Sequence, residues 1–472
     1  MAKPFPTDDP FLRGYYAPLY MECDAANLPV TGEIPRELNG WLYRNGPNPQ
    51  FAPRGSYHWF FADGMLHSFH VENGRVAYRN RWVRTPKWEL EHQEGEGLTD
   101  GGPGGHLSDP RLAELDSTVA NTSLVWHGGR LLALEEAHLP FEMDPTTLQS
   151  KGSFDYGGRL VGPMTAHPKL DEATGEMIFF GYSTKGDFTP DVMLHTADRS
   201  GELRQSRHLL APYSSLVHDF VVTRDWIVLP IFPLTTSMDR AMKGAPPIAW
   251  EPDKGTHIAL IPRNGAVEAT RWFKMDPCFV FHVMNAYDTP EGQVVCDVLK
   301  YPVAPLFPTT DGKMPSEPPV STLVRWTFDP ARNTDGFAEN SLDDHPGEYP
   351  RFDERFAGLP YRHGYFQAAR PADASIGREA RNGLAHIDLV TGRVQLWKPG
   401  ATDYCGEPVF VARSADAPEG DGFLLSVIFR GETQCSDLAV FDAARLEAGP
   451  LALAHLSHHV PAGFHGIWRG QA

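Results

Sequence analysis

The stretch FVFHVMNAY, Phe279 to Tyr287, is a run of aliphatic and aromatic side chains of the length and type expected for one buried β-strand. A single position, His282 between Phe281 and Val283, departs from that pattern and asks for a reason. Outward from it, strand-like segments recur along the chain: GWLYRN, GRVAYRNRWV, GGRLLALEE, GEMIFFGYS, DWIVLPIF, THIALIPR, QVVCDVLKY, STLVRWTFD, GRVQLWKPG, DGFLLSVIF and SDLAVFDA, most of them bounded by Gly, Asp, Asn or Pro. Helical periodicity is hard to find. The 44 glycines and 42 prolines are spread evenly and cut the chain into short pieces. Many short strands with hairpin turns indicate an all-β fold. A sandwich saturates well below 472 residues, whereas a propeller of several four-stranded blades absorbs that length in one domain. A propeller is therefore expected as a single domain over residues 1–472, with residues 1–30 as an N-terminal extension packing on it. No clean repeat of the regular propeller families is found.

Composition narrows the function classes. Apolar residues make up 41% and charged residues 22%, the balance of a globular enzyme rather than of a disordered chain or a membrane bundle. A net charge of −18 without any basic run disfavours a nucleic-acid partner, because nothing could neutralise phosphates. Cys23, Cys278, Cys296, Cys405 and Cys435 are odd in number and lack CxxC spacing, which fits a reducing cytoplasm better than a disulfide framework. The N-terminal MAKPFPTDDP has no apolar signal core, and FVVTRDWIVLPIF is cut by Arg224 and Asp225, so it reads as paired strands rather than a span. The inserts EHQEGEGLTDGGPGGHLSDP, YPVAPLFPTTDGKMPSEPP and ENSLDDHPGEYP read as loops gathered over one face, where binding surfaces usually lie.

Most histidines read as solvated or hydrogen-bonded: His58, His67, His70, His92, His106, His127, His195, His208, His257, His345 and His386. Four sit differently, each beside an apolar run at a strand end: His167 in PMTAHPKLD, His218 in SSLVHDFVVT, His282, and His465 in AGFHGIW. Any one alone reads as a satisfied core histidine. Together they form a candidate ligand set, since imidazole suits Fe, Zn, Cu and Ni and a propeller brings residues from several blades to a common axis. A ligating imidazole needs its other ring nitrogen held. Glu136 in LLALEEAHLPFE, Glu348 in HPGEYPRF and Glu407 in YCGEPVFV, each in apolar or proline-rich surroundings, are the candidate anchors.

At this point RNGPNPQF, FADGMLHSFH, ANTS, TAHPKLD, VHDFVVT, FHVMNAY, EPVFV and FHGIW, in this order from about Gly40 to the C-terminus, resemble the carotenoid cleavage oxygenases, a family that includes lignostilbene- and isoeugenol-cleaving enzymes. The resemblance implies a seven-bladed β-propeller with long loops capping the metal-bearing face, and a non-haem Fe(II) held by His167, His218, His282 and His465. It also implies Glu136, Glu348 and Glu407 as anchors of His218, His282 and His465 respectively, with no glutamate partner for His167, and Thr122 beside the dioxygen position. Four neutral imidazoles leave two positions of an octahedral ion open, enough for dioxygen with substrate alongside, so no 2-oxoglutarate or pterin is expected. The implied reaction adds dioxygen across one C=C bond of an apolar alkene and yields two carbonyl products.

For the substrate, TVANTS, PKLDEATGEMIFFG, WEPDKGTHIALIPR and APEGDGFLLSV resemble the bacterial lignostilbene and isoeugenol branch. That branch grips a phenolic hydroxyl with a tyrosine and a lysine, and this sequence departs at both. Glu135 stands at the lysine position, and GEGLTDGGPGGH offers no tyrosine. A lone carboxylate would repel a phenolate, so an apocarotenoid or carotenoid is expected, with a phenylpropanoid or stilbene alkene as the alternative. Phe61, Glu135, Phe281, His363 and Phe464 are the candidate substrate-lining residues, while Tyr287 and Trp468 read as core. An apolar substrate would suit peripheral membrane contact for its uptake; no obligate protein partner is inferred. Two other readings remain: a zinc or calcium hydrolase on a propeller, which should converge on carboxylates instead, and a non-enzymatic carotenoid or retinoid binder, which the four retained histidines argue against.

Overall fold

The computed structural model describes residues 3–6, 8–55, 57–101, 108–369 and 382–471; His106 and part of the glycine-rich insert before it lie outside them. The chain divides into two compact units, one comprising Met1–Ala166, Pro399–Ala417 and Gly422–Ala472, the other His167–Lys398 and Pro418–Asp421.

The first unit carries three antiparallel sheets. One runs in the order Asp24–Ala25, Arg75–Trp82, Gly64–Glu72, Gly40–Pro47, Gly466–Gly470, so the C-terminal strand closes a sheet begun near the N-terminus. The second is the meander Ser123–His127, Arg130–Leu134, Phe141–Met143, Ser150–Ser153. The third orders Val30–Gly32, Ala452–His455, Cys435–Asp442, Gly422–Arg430 and Tyr404–Cys405, with Val409–Ala412 also pairing Gly422–Arg430. The segment 24–32 thus contributes two short edge strands.

The second unit carries four four-stranded meanders and a two-stranded hairpin, Leu234–Thr236 with Ile248–Trp250. The meanders begin with Lys169–Leu170, Val221–Val222, Phe279–Asp288 and Gly347–Phe352. Three sheets and four make seven, and the fold class is the seven-bladed β-propeller.

Burial explains the strand patterns. In the first unit Leu42, Phe69 and Tyr78 of one sheet share a core with Val411, Leu425 and Val440 of another. A strand covered on both faces has no polar side to show, so Gly422–Arg430 is apolar nearly throughout. Last strands have the opposite problem, an open edge, and manage it with polar residues: Leu203–Leu210 is LRQSRHLL. The same device hid Ala338–Asp343, which reads as part of a loop yet pairs with Thr322–Phe328. The rest of that insert, GEYPRF, is also a strand, interrupted by a register shift between Glu348 and Arg351 where Pro350 has no N–H to give. The segments read as strands from sequence are all strands here, and Tyr287 and Trp468 pack against cores.

Among the described residues two α-helices stand outside the strand pattern, the short Met238–Met242 and the longer Pro86–Glu94. Thr85 caps the longer one by accepting from the Trp88 N–H, with Pro86 in its first turn. Its inward face carries an ion network instead of an apolar stripe, because Lys87 bridges buried Asp63 at 2.6 Å and Glu91 at 3.0 Å. Among the described residues no helix is long and apolar enough to cross a membrane.

Candidate metal centre

In the second unit three imidazoles converge. His167 lies two residues before the strand Lys169–Leu170, His218 three before Val221–Val222, and His282 within Phe279–Asp288; each belongs to the first strand region of its sheet. The His167 and His218 Nε2 atoms are 3.0 Å apart, and those of His218 and His282 are 3.2 Å apart. Nitrogen lone pairs facing one another at this range fit a shared cation better than a chain of neutral rings, which could satisfy only some of these contacts with N–H donors.

The strand reading of Phe279–Asp288 holds, and its odd residue is aimed by an irregularity. Register shifts fall between Val280 and Val283 and again between Val283 and Asn285. A bulge re-aims the side chain it carries, which here is His282. Its Nδ1 meets Glu348 Oε2 at 2.5 Å. Glu348, 4% exposed, also accepts from the Tyr301 hydroxyl and from the Tyr349 N–H. Tyr349 stacks on the His282 ring and has a left-handed φ of 54°, a conformation a tyrosine holds only when its surroundings impose it. With Nδ1 engaged, His282 presents Nε2.

A second group ties the loops together. Buried Asp219, next to His218, accepts from Lys169 Nζ at 2.7 Å and from the Val283 N–H at 2.9 Å. One carboxylate therefore fixes the segments bearing the three converging histidines. Phe281 lies edge-on to His218, with ring centroids 5.3 Å apart. His363 is not brought to this cluster by its strand: Glu348 pairs with Gln367, at the other end of His363–Ala368, and His363 Nδ1 instead meets His386 Nε2 at 3.0 Å.

The first unit repeats the carboxylate–imidazole arrangement. His465 Nδ1 meets Glu407 Oε1 at 2.8 Å, and Glu407 Oε2 accepts from the Gly466 N–H. The His465 N–H donates to the Thr122 carbonyl, and the Thr122 N–H to that of Leu134. Asn45 of the RNGPNP motif holds this neighbourhood by donating to the carbonyls of Ala120 and Ser123. Asn121 donates to those of Phe60 and Ala62. Phe464 packs on Trp59 and Phe60, at 4.5 and 5.5 Å between ring centroids, so these two, rather than Phe61, join it in an aromatic cluster. Glu136 is half-buried just past the strand Arg130–Leu134.

Glu135 does not stand alone. It hydrogen-bonds His138 and accepts from the Ala137 N–H and the Thr118 hydroxyl. Burial would raise its carboxyl, but the His138 charge and these hydrogen bonds hold it below the usual carboxylate range. Burial would likewise depress His138, and the Glu135 charge outweighs it, so the imidazole titrates above its ordinary range. The stabilisation from a raised imidazole is complete below about pH 6.5 and fades as pH rises through its folded value; that from a lowered carboxyl is complete above about pH 4.5 and fades on acidification. The Tm gap between this protein and the variant His138→Gln is therefore expected to be widest from about pH 4.5 to 6.5. A gap independent of pH would count against the pair.

Sequence reading overlooked His138, Asp219, Lys169 and Tyr301. Asp219 and Lys169 sit one and two residues from candidate ligands, and that adjacency was the available signal. His138 stands three residues from Glu135, so adjacency was a signal there too, whereas Tyr301 had none, since its partner is set by folding.

The fold and this chemistry define a class: an all-β propeller presenting imidazoles whose outer nitrogens are held by buried carboxylates. The family model described as retinal pigment epithelial membrane protein matches residues 16–470, and the chain belongs to that family, the carotenoid cleavage oxygenases. It is 37% identical to the isoeugenol monooxygenase of Pseudomonas putida over 99% of each chain. Among solved structures it superimposes on a Pseudomonas brassicacearum lignostilbene dioxygenase with a TM-score of 0.93 at 35% identity, covering 100% of both chains. A cobalt-substituted Synechocystis apocarotenoid oxygenase gives a TM-score of 0.85 at 28% identity, covering 98% of each. The protein is an oxidoreductase of this metal-dependent oxygenase family.

Proposed function

We propose that the chain, as one oxygenase domain over residues 1–472, is a non-haem Fe(II) dioxygenase that cleaves a C=C bond of an apolar alkene into two carbonyl products. The convergence of His167, His218 and His282 carries this reading. His465 is the fourth ligand in it, because Glu407 occupies its Nδ1 as Glu348 occupies that of His282. Glu136 is assigned to His218 by the family resemblance. When bound, ferrous iron supplies the activation of dioxygen that the alkene itself lacks. The protein's own part is to hold the tautomers of His282 and His465 with carboxylates, to stiffen the histidine-bearing segments through Asp219, and to offer Phe281 and Phe464 to an apolar substrate. Thr122, whose carbonyl receives the His465 N–H, is assigned a place beside the dioxygen position.

The substrate reading is an apocarotenoid or carotenoid, supported by Glu135 in place of a lysine and by the likeness to an apocarotenoid oxygenase. One observation favours a phenylpropanoid or stilbene alkene: His138, whose imidazole Glu135 pushes above its ordinary range, pairs with the carboxylate that alone would repel a phenolate. The isoeugenol monooxygenase and lignostilbene dioxygenase likenesses support the same alternative. Oxygen uptake with product mass analysis, on anaerobically iron-loaded protein given an apocarotenal or a 4-hydroxystilbene, separates the two. Turnover of the stilbene that His138→Gln removes selects the second reading; turnover of the apocarotenal alone, unaffected by that substitution, selects the first. Turnover of neither would remove both. The reading also includes a cytoplasmic location, with peripheral membrane contact where the substrate is a polyene.

Glu348→Gln is expected to lower iron affinity or turnover about 10- to 100-fold, the usual effect of losing a carboxylate behind a ligating imidazole. Metal analysis and initial rates check this, and an unaffected enzyme would leave Glu348 with a packing role only.

A further inference from the structure

Arg44 opens the RNGPNP motif on the strand Gly40–Pro47, and it is 3% exposed. Its Nε and Nη2 find no hydrogen-bond partner, and among the described residues Arg44 forms no ion pair. A guanidinium taken out of water without a counter-charge costs several kcal/mol, and Arg cannot shed its proton to escape that cost.

The neighbouring groups do not bond the free guanidinium nitrogens. Glu407, next to Gly406, directs its two oxygens to His465 Nδ1 and the Gly466 N–H. His67, directly across the strand pair from Arg44, is 3% exposed. Burial first, then the charges of His458, Arg44 and His459, push its imidazole well below its ordinary range, so it is neutral. Its Nδ1 engages the Tyr78 hydroxyl at 2.7 Å, and the same hydroxyl meets His458 Nε2 at 3.2 Å. His459 Nε2 is taken by the Ala17 carbonyl. The surroundings are thus polar and donor-rich, and the Glu407 carboxylate takes its hydrogen bonds from His465 and the Gly466 N–H rather than from Arg44.

The chain also makes room for the guanidinium. A Cβ on Gly463 would lie 2.7 Å from Nη2, and one on Gly406 would collide with Nη1. Only glycine at both positions permits this placement, so the guanidinium lies against bare backbone on two sides while its Nε and Nη2 stay unbonded.

We propose that Arg44 anchors a buried binding site for a small monovalent anion of halide or formate size. The anion balances the guanidinium and accepts from Nε and Nη2, while the neutral imidazoles and the Tyr78 hydroxyl flank it. The site lies in the first unit, one strand pairing from the segment Glu407 and His465 share, since Arg44 pairs with Gly466. It requires no metal and does not depend on the proposed reaction.

The test uses bromide as the probe on the full chain. Crystals grown in sodium bromide should show an anomalous peak within contact distance of Arg44 Nε and Nη2. Melting in sodium bromide, against sodium gluconate at matched ionic strength, should show a saturable Tm rise of about 2–4 °C, absent in Arg44→Gln. If that variant does not fold, the anomalous map of the unaltered protein decides. Ordered water without anomalous signal at Arg44, or melting identical in the two salts, overturns the proposal.

Discussion

His282→Ala is expected to empty the metal centre and abolish turnover. The substitution removes one of three Nε2 atoms that lie 3.0–3.2 Å from a neighbouring imidazole nitrogen, and it leaves the buried Glu348 carboxylate without its Nδ1 partner. Glu348 keeps the Tyr301 hydroxyl and the Tyr349 N–H, so the strand Gly347–Phe352 should stay in place and the loss should be local. Metal analysis of anaerobically loaded protein should find iron near background, and oxygen uptake should fall below detection while far-ultraviolet circular dichroism is unchanged. A variant with near-normal iron and rate would take His282 out of the ligand set. The imidazole would then be no more than a core histidine paired with an acid.

Asp219→Ala should have the largest effect on stability. Asp219 is 4% exposed and holds Lys169 and the Val283 N–H at once. Removing it leaves the Lys169 ammonium and the buried Val283 and Phe220 amides without this acceptor, which costs about 3–5 kcal/mol by precedent for broken buried pairs. Urea unfolding measures the loss. Asp219→Asn should be milder, because its amide oxygen can still accept from Val283, while the attraction to Lys169 and the bond from the Phe220 N–H are lost. Equal destabilisation by the two substitutions would mean that the charge, not the backbone bond, carries the effect. Iron affinity should fall with stability in Asp219→Ala, since the same carboxylate joins the segments that bear His167, His218 and His282.

Much of this was legible in the sequence, and the reasons are local. A strand covered on both faces is apolar throughout, and turn residues bound it, so Gly422–Arg430 and Phe279–Asp288 announce themselves. A histidine inside such a run is conspicuous for the same reason, which is how His282 was singled out. The polar edge strand Ala338–Asp343 and the helix Pro86–Glu94 stayed hidden because one faces water and the other turns an ion network inward, so neither carries the hydrophobic period that reading relies on.

The sequence by itself determined the kind of element at most positions, the candidate histidines and the glutamates able to serve them. Only the tertiary structure decided the pairings: Glu348 with His282 across 66 residues, Glu407 with His465 across 58, and Asp219 beneath three histidine-bearing segments. Strand type follows from the alternation and burial of neighbouring side chains, which a short window of sequence contains. Which imidazole meets which carboxylate follows from bulges, register shifts and the stacking of sheets distant in sequence, and no local pattern carries that information.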